Sequence, residues 1–480
     1  MFKKTLIASA VAAALLSGCS DSSSSNDDTD AGTSPTSPTD NFPAQGVALP
    51  YTVLRSDLID ANTQQPFEVR NGGFGSAMTG DPADNRRFYA LTDRGPNASF
   101  TGSQGKGKKF PTPDYTPRIG HYEVTAEGKV VLLDTILLKR PDGTLITGLP
   151  NSSALGGTGE TPYNADGSPV LEDPTQPYDA ETNPLRLDDY GLDGEGLVAL
   201  SDGSFWVSDE YGPHIVHFDA EGKEIGRINP FANDERNDYT LPAEFANRRA
   251  NRGMEGLAIT PDEKTLVGVM QSTMDNPDKS VRDLDMTRIV TINLDDGSVG
   301  QYLYKQEKNQ NSNSELAALS ATQFLLLERD GSFLYGGPDG PAAANPAAQK
   351  TVYRIDLSTG TNLETIATGG ELSQDAELGL TIDGKTLEEV VQADGWAGLA
   401  AYNIVPVDKQ LVVDMVAQVS YPHDKMEGLW VIDSNTLGVL NDDDFATWST
   451  DSGELEQKML DSNTIDGNRL YIVPADLSIK

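Results

Sequence analysis

The chain of 480 residues holds a single cysteine, Cys19, and four histidines, His121, His214, His217 and His423. One cysteine leaves no partner for an intrachain disulfide, and the histidines are too scattered for a zinc motif. Positive charge is scarce as well: 36 Lys and Arg stand against 73 Asp and Glu, a formal −37. A field of that sign repels nucleic acid and anionic lipid at long range, so no nucleic-acid partner is expected. It suits solubility, a salty medium or the capture of cations. Past the N-terminus no stretch is long and apolar enough to cross a bilayer. There is no Gly-x-Ser-x-Gly elbow, Walker loop or dinucleotide fingerprint, which disfavours an α/β-type serine hydrolase and nucleotide-dependent chemistry. Helical periodicity is brief while Gly and Pro recur, so long helices are not expected.

What is present begins with a targeting segment. Lys3 and Lys4 precede an apolar run over residues 6–16, too short and Ala-rich to span a membrane. Leu16-Ser17-Gly18-Cys19 resembles the lipobox of bacterial lipoproteins, which implies cleavage before Cys19 and lipidation of its thiol. Ser20 rather than Asp after the cysteine implies the outer membrane. Residues 1–18 are thus expected to be signal, and 19–46 a disordered tether of Ser, Thr, Asp and Pro with nothing apolar to bury. As a coil that tether reaches roughly 30 Å. Loss of Lys3 and Lys4 with the signal takes the formal charge from −37 to −39.

Residues 47–480 exceed the usual size of a single core, and they carry a repeat. Glu195-Gly196-Leu197, Glu255-Gly256-Leu257 and Glu315-Leu316-Ala317 stand sixty residues apart, and Glu427-Gly428-Leu429 follows 112 further on. Each Glu opens an apolar run, then a turn such as Asp202-Gly203, then a second apolar run: a hairpin signature. A second hairpin usually follows, as at residues 215–228, 288–304 and 352–366. Two hairpins per unit predict a four-stranded antiparallel sheet, and radial repetition predicts an all-β propeller. Five blades are recognisable and five to seven are expected, as one closed domain with loop insertions at 97–118, 140–190, 338–350 and 361–400. Two stacked sandwiches are the alternative, which the even period argues against. A short β-like segment at Tyr51 to Leu54 is expected to close the last blade.

Folding each inner hairpin with tight turns sets Glu195 opposite Glu210, Glu315 opposite Glu328 and Glu427 opposite Asp442, with Glu255 opposite Met270. Like charges directly opposite are destabilising, so a cation, an arginine or a raised pKa must offset them. In a propeller these strand ends converge on one face. One reading ties neighbouring blades through Arg94, Arg252 or Arg329. The other is an oxygen-rich site for a hard cation such as calcium, assembled across blades because no EF-hand spacing occurs. The candidate metal ligands are Glu195, Glu210, Glu255, Glu315, Glu328, Glu427 and Asp442. His214, after Tyr211-Gly212-Pro213, is expected to pack, with general acid as its alternative role.

Several segments together resemble the phytase-like, "esterase-like activity of phytase" family of bacterial propeller proteins. They are Thr92-Asp93-Arg94-Gly95-Pro96-Asn97, Asp193-Gly194-Glu195-Gly196-Leu197, Ser208-Asp209-Glu210-Tyr211-Gly212-Pro213, and Asn251-Arg252-Gly253-Met254-Glu255-Gly256-Leu257. Leu327-Glu328-Arg329-Asp330, Lys425-Met426-Glu427-Gly428-Leu429 and Asn441-Asp442-Asp443-Asp444-Phe445 complete the set. Neutral Phe74-Gly75-Ser76 stands where an early acid is expected. The resemblance implies phosphate-ester hydrolysis, with Asp93, Arg94, Glu195, Asp209, Glu210 and Arg329 as candidate catalytic residues. A divalent cation, calcium above others, would hold substrate oxygens and polarise water. A metal-dependent lactonase and a non-catalytic surface-binding propeller stay open beside it. The protein is expected to work as a monomer on a small phosphate ester, touching membrane only through its lipid.

Overall fold

The structure is a computed structural model describing residues 42–479. The expected signal, Cys19 and the tether up to residue 41 lie outside the described residues. Among those described, no helix is long and apolar enough to cross a membrane.

Five antiparallel sheets organise the chain. Counted by innermost strand, they start at Ala77–Asp81, Gly194–Ala199, Met254–Ile259, Ser312–Ala318 and Gly428–Asp433. The first, third, fourth and fifth have four strands, and the second gains a short fifth strand at Tyr239–Thr240. Among the described residues no sheet closes on itself. Instead the five close as a ring, because every neighbouring pair shares an apolar interface. Leu91 and Ile119 of the first sheet meet Leu197 and Val207 of the second. Val198 and Trp206 meet Leu257 and Leu266 of the third, whose Val267 and Val269 meet Phe324 and Leu326 of the fourth. Leu325 and Leu327 meet Leu437 and Val439 of the fifth, and Trp430 and Leu440 return to Phe88 and Tyr122 of the first. The fold is propeller-like.

That ring explains the sequence pattern. Within strand Gln323–Arg329, Phe324 to Leu327 read as an unbroken apolar run because both faces are covered, alternate residues serving opposite neighbours. Each such Leu contributes about 1.5–3 kcal/mol by leaving water. The Glu-Gly pair at the head of the inner strands has a steric reason. A Cβ at Gly196 would collide with the Glu255 carbonyl oxygen, and one at Gly256 with the Glu315 backbone. Glycine lets the inner strands touch at the axis while the preceding Glu projects there.

The N-terminal segment does close the fifth sheet, four residues earlier than expected. Val47 and Ala48 pair with Leu470 and Arg469 on strand Arg469–Pro474. Pro50 has no N–H to extend that ladder, and Thr52–Ile59 pairs with Pro66–Asn71 instead. The insertion over 361–400, expected as loop, carries a small sheet and the helix Leu387–Asp394. That helix is capped by Thr386 and Glu389 in a reciprocal box.

The inner hairpins sit one residue out of the expected register. In the second sheet the turn is longer, so Ala199 rather than Leu200 faces Phe205. A bulge at Glu195 then leaves Gly194 opposite Asp209, and Glu210 N bonds Asp193 O at 3.0 Å. The third sheet repeats this, with Met254 opposite Met270 and Glu255 inside the bulge. In the fourth, Glu328 faces Asn313 and Glu315 faces Leu327. In the fifth, Gly428 faces Leu440, which leaves Asp442 a step beyond Glu427. None of the three expected carboxylate pairs is a cross-strand pair. The bulges spare the strands those like-charge contacts and re-aim the acids.

Candidate functional site

At the end of the ring where the inner strands begin lies a cleft of about 370 Å³. Glu195, Glu255 and Glu427 reach it from the second, third and fifth sheets, joined by Asp193 and Glu210. One carboxylate oxygen each from Asp193, Glu195 and Glu210 lies within 4.8 Å of the others, so the three could hold a metal ion. Burial, then the neighbouring Glu255, pushes the Glu195 carboxyl well up. Burial, then Asp193, pushes Glu210 up to about 7. Burial, then Glu210, pushes the Glu255 carboxyl well up. Exclusion of water and neighbours of the same sign both disfavour the charged form of these acids.

The donors are too few for the oxygens. Gln271 Nε2 donates to Glu210 Oε1 at 2.7 Å, and Arg329 pairs with Glu427 while its Nε reaches Ser314 Oγ at 3.2 Å. Yet Glu255 Oε2 and Glu427 Oε2 are buried with no hydrogen-bond partner. An orphaned buried oxygen costs about 1–3 kcal/mol, more when charged. The donor set is all oxygen, three to five carboxylates without histidine or thiol, which fits a hard cation such as calcium.

Cationic side chains stand along the wall of the same cleft. Arg94 Nη1 lies 3.1 Å from Asp193 and 3.2 Å from Glu160. Among the described residues, Lys108 and Arg252 line the cleft without an ion pair, and Arg252 Nη1 has no hydrogen-bond partner. Lys425 Nζ sits 2.6 Å from Asp442 and 2.7 Å from Asp444, turned between them and the cleft. Asp93 lines the same wall, its Oδ1 accepting from Gly95 N at 2.8 Å.

Of the residues expected from sequence, Asp93, Arg94, Glu195, Glu210, Glu255, Arg329 and Glu427 meet in this cleft, as does Arg252. Four do not line it. Asp209 is buried behind, accepting from the backbone of Asp193 and Gly212, both at 2.9 Å, which fixes the turn before His214. Glu315 lies at the axis and accepts from Met78, Leu257 and Leu316 N at 3.3, 3.2 and 2.9 Å. Glu328 points to the other face of its strand, toward Tyr304 and Lys409, because successive residues face opposite ways and its neighbour Arg329 turns to Glu427. Asp442 is sealed under Lys425. His214, buried against Asn151 at 3.2 Å, also lies away from the cleft.

Sequence reasoning passed over Asp193, Glu160, Lys108 and Lys425. Two of them had a signal: Asp193 and Lys425 each stand two residues before a repeat Glu, the spacing of one strand face. Glu160 and Lys108 come from insertions and had none.

Residues 69–445 match the family described as "Phytase-like: Esterase-like activity of phytase". A curated relative from Arthroderma benhamiae, named "Uncharacterized secreted protein", is 27% identical over 334 residues, 57% of this chain and 62% of its own. The chain thus spans about three fifths of the length of the relative it matches. Among solved structures, a periplasmic gluconolactonase of Pseudomonas aeruginosa is 12% identical, with 86% of this chain and 93% of that one covered at a TM-score of 0.29. A virginiamycin B lyase of Staphylococcus aureus is 12% identical, with 82% and 90% covered at 0.24. Superpositions that loose carry no argument.

Proposed function

This chain belongs to the phytase-like family, and from that premise we propose that it is an exported, calcium-dependent phosphoric ester hydrolase working at the axial cleft. The observation that carries the reading is the juxtaposition, in one cleft, of a carboxylate cluster with unbonded buried oxygens and a wall of cationic side chains. A protein of net charge −37 attracts an anionic ester only where local positive charge overturns its field. Asp193, Glu195 and Glu210 would hold the cation, with Glu255 and Glu427 facing it. Bound there, a divalent ion supplies Lewis acidity toward ester oxygens. Arg94, Lys108, Arg252 and Lys425, which line the same cleft, bind and orient the phosphoryl group. Arg329 holds Glu427 in place, and burial of the acids excludes bulk water.

Export rests on the N-terminal signal pattern, with Cys19 as lipid anchor to the outer membrane and residues 47–480 as the monomeric working domain. The relative's name, a secreted protein, agrees in kind. The test pairs calorimetric calcium titration with a screen of phosphomonoesters and phosphodiesters, with and without calcium. Saturable calcium binding and calcium-dependent turnover are expected. No binding at millimolar calcium and no turnover of any phosphate ester would end the enzyme reading in favour of a binding module, whereas lactone turnover alone would move it to lactonase chemistry.

A further inference from the structure

Beside the cleft the chain makes a left-handed turn without a glycine: Asp444, Phe445 and Ala446 have φ of 48°, 58° and 56°. L-residues disfavour that conformation, and three in succession need firm anchoring. Phe445 supplies one anchor. It is fully buried, edge-on to Tyr115 at 5.0 Å, where a Cβ at Gly73 would strike its ring. Asp443 supplies another, its Oδ1 accepting from Gly73 N at 2.6 Å and from Phe445 N at 3.1 Å. The strained turn sets the Asp444 carboxylate between two ammonium groups. Its Oδ1 lies 2.7 Å from Lys425 Nζ, and its Oδ2 lies 2.6 Å from Lys458 Nζ. The two lysines differ in what they face. Lys425 lines the axial cleft, and its side chain is 27% exposed. Lys458 is sealed at 0% exposed, and it also meets Asp424 at 2.9 Å and Asp466 at 3.4 Å. Asp424 and Asp444 line the cleft themselves. Behind them His423 Nδ1 sits 2.6 Å from Asp466 Oδ1 and closes the cluster.

We infer that Lys458 is a positioning residue that keeps the charge of Lys425 open to the phosphoryl group. The inference rests on the phosphate-ester reading of the cleft and deepens it. Lys425 already bonds buried Asp442 at 2.6 Å. A second carboxylate given wholly to Lys425 would leave its ammonium fully neutralised. Lys458 prevents that by drawing off one oxygen of Asp444, and it keeps Asp424 from facing the cleft as a free anion. Charges this close in a site short of water interact strongly, so the place of one carboxylate oxygen changes the field that the substrate meets. The left-handed turn fixes the Asp444 backbone midway between the lysines. Rotation of the side chain alone then decides how its charge is divided.

The experiment is calorimetry on the full chain in calcium, with methylphosphonate as a phosphoryl group that does not turn over. Lys458→Met keeps the length of the side chain and removes its charge. Methylphosphonate should bind about fivefold more weakly, although Lys458 is sealed away from it. Adding Asp444→Asn to Lys458→Met should restore binding to within about twofold of the parent, because the carboxylate that neutralises Lys425 is gone. A purely structural role for Lys458 predicts instead that the second substitution adds to the damage. Asp444→Asn alone serves if Lys458→Met does not fold: its affinity for methylphosphonate should rise about threefold. Binding by Lys458→Met within about twofold of the parent, no restoration in the double variant, or an Asp444→Asn affinity at or below the parent's overturns the inference. A crystal structure of Lys458→Met, which needs no ligand, should show both Asp444 oxygens turned to Lys425. That geometry alongside a parent that binds no methylphosphonate would sink the phosphate reading and leave the division of Asp444 standing.

Discussion

Glu195 and Glu315 hold the same place in the repeat and meet opposite fates. Glu195 opens on the cleft among Glu210, Glu255 and Asp193, three acids that share its charge. Glu315 turns inward across the axis and is saturated by three backbone N–H groups, from the first, third and fourth sheets. The first sheet brings no acid of its own, only Gly75 and Ser76, and Glu315 of the fourth reaches over to Met78 N in that gap. One repeat position thus supplies both the ligand wall and the pin beneath it. Burial raises both carboxyls, but like neighbours add to the rise at Glu195 whereas backbone donors oppose it at Glu315. What separates a site residue from a structural one here is the supply of donors.

The comparison breaks most visibly at the pin. Glu315→Ala strands three backbone donors and should cost about 3 kcal/mol or more in chemical denaturation, with or without calcium. Glu315→Gln keeps an acceptor and should lose less than half as much. A Glu315→Ala protein as stable as the parent would mean that the axis is not held there.

At the other member the ranking reverses. Glu195→Gln should weaken calcium binding roughly tenfold by calorimetry, because the cation loses a charged ligand. The stability of the calcium-free protein should stay level or rise, since a repelled carboxylate is gone. Unchanged calcium affinity would place the ion elsewhere.

The smallest effect is with pH. Glu210 has its folded pKa at about 7 against an ordinary 4.5. A raised carboxyl favours the fold while protonated, fully below the ordinary value, and that support fades as pH rises through about 7. Asp209, also about 7, and Asp443, about 6, act in the same direction. Melting of chelator-treated protein should therefore drop by a few degrees between about pH 5 and 7. Calcium should flatten the drop, and Glu210→Gln should reduce it. A melting temperature that climbs over this window in chelator would contradict the electrostatic picture of the cluster.

Much of this was legible in advance. The sixty-residue spacing of Glu195, Glu255 and Glu315 was enough to announce repeated hairpins, since alternation and turn residues are local. Acids at the inner strand ends were enough to expect a cluster of acids on one face. The register was not legible, because a bulge at Glu195 or Glu255 leaves no mark in the hydrophobic pattern beyond the glycine that follows. Glu328 shows the cost: it was paired with Glu315 on paper, yet its carboxylate accepts from Tyr304 and Asn311, both at 2.6 Å, on the far side of the strand.

By itself the amino-acid sequence determined the kind of unit, its number of recognisable copies and the acid that all but the first copy bring to the axis, because those depend on contacts within sixty residues. Only the tertiary structure decided which of those acids stays short of donors. That depends on what comes from far along the chain: Gln271 beside Glu210, Met78 above Glu315, and Arg94 with Glu160 and Lys108 arriving from insertions that no periodicity governs. A carboxylate's role is set by the groups that surround it in space, and in a ring of sheets those groups belong to other units.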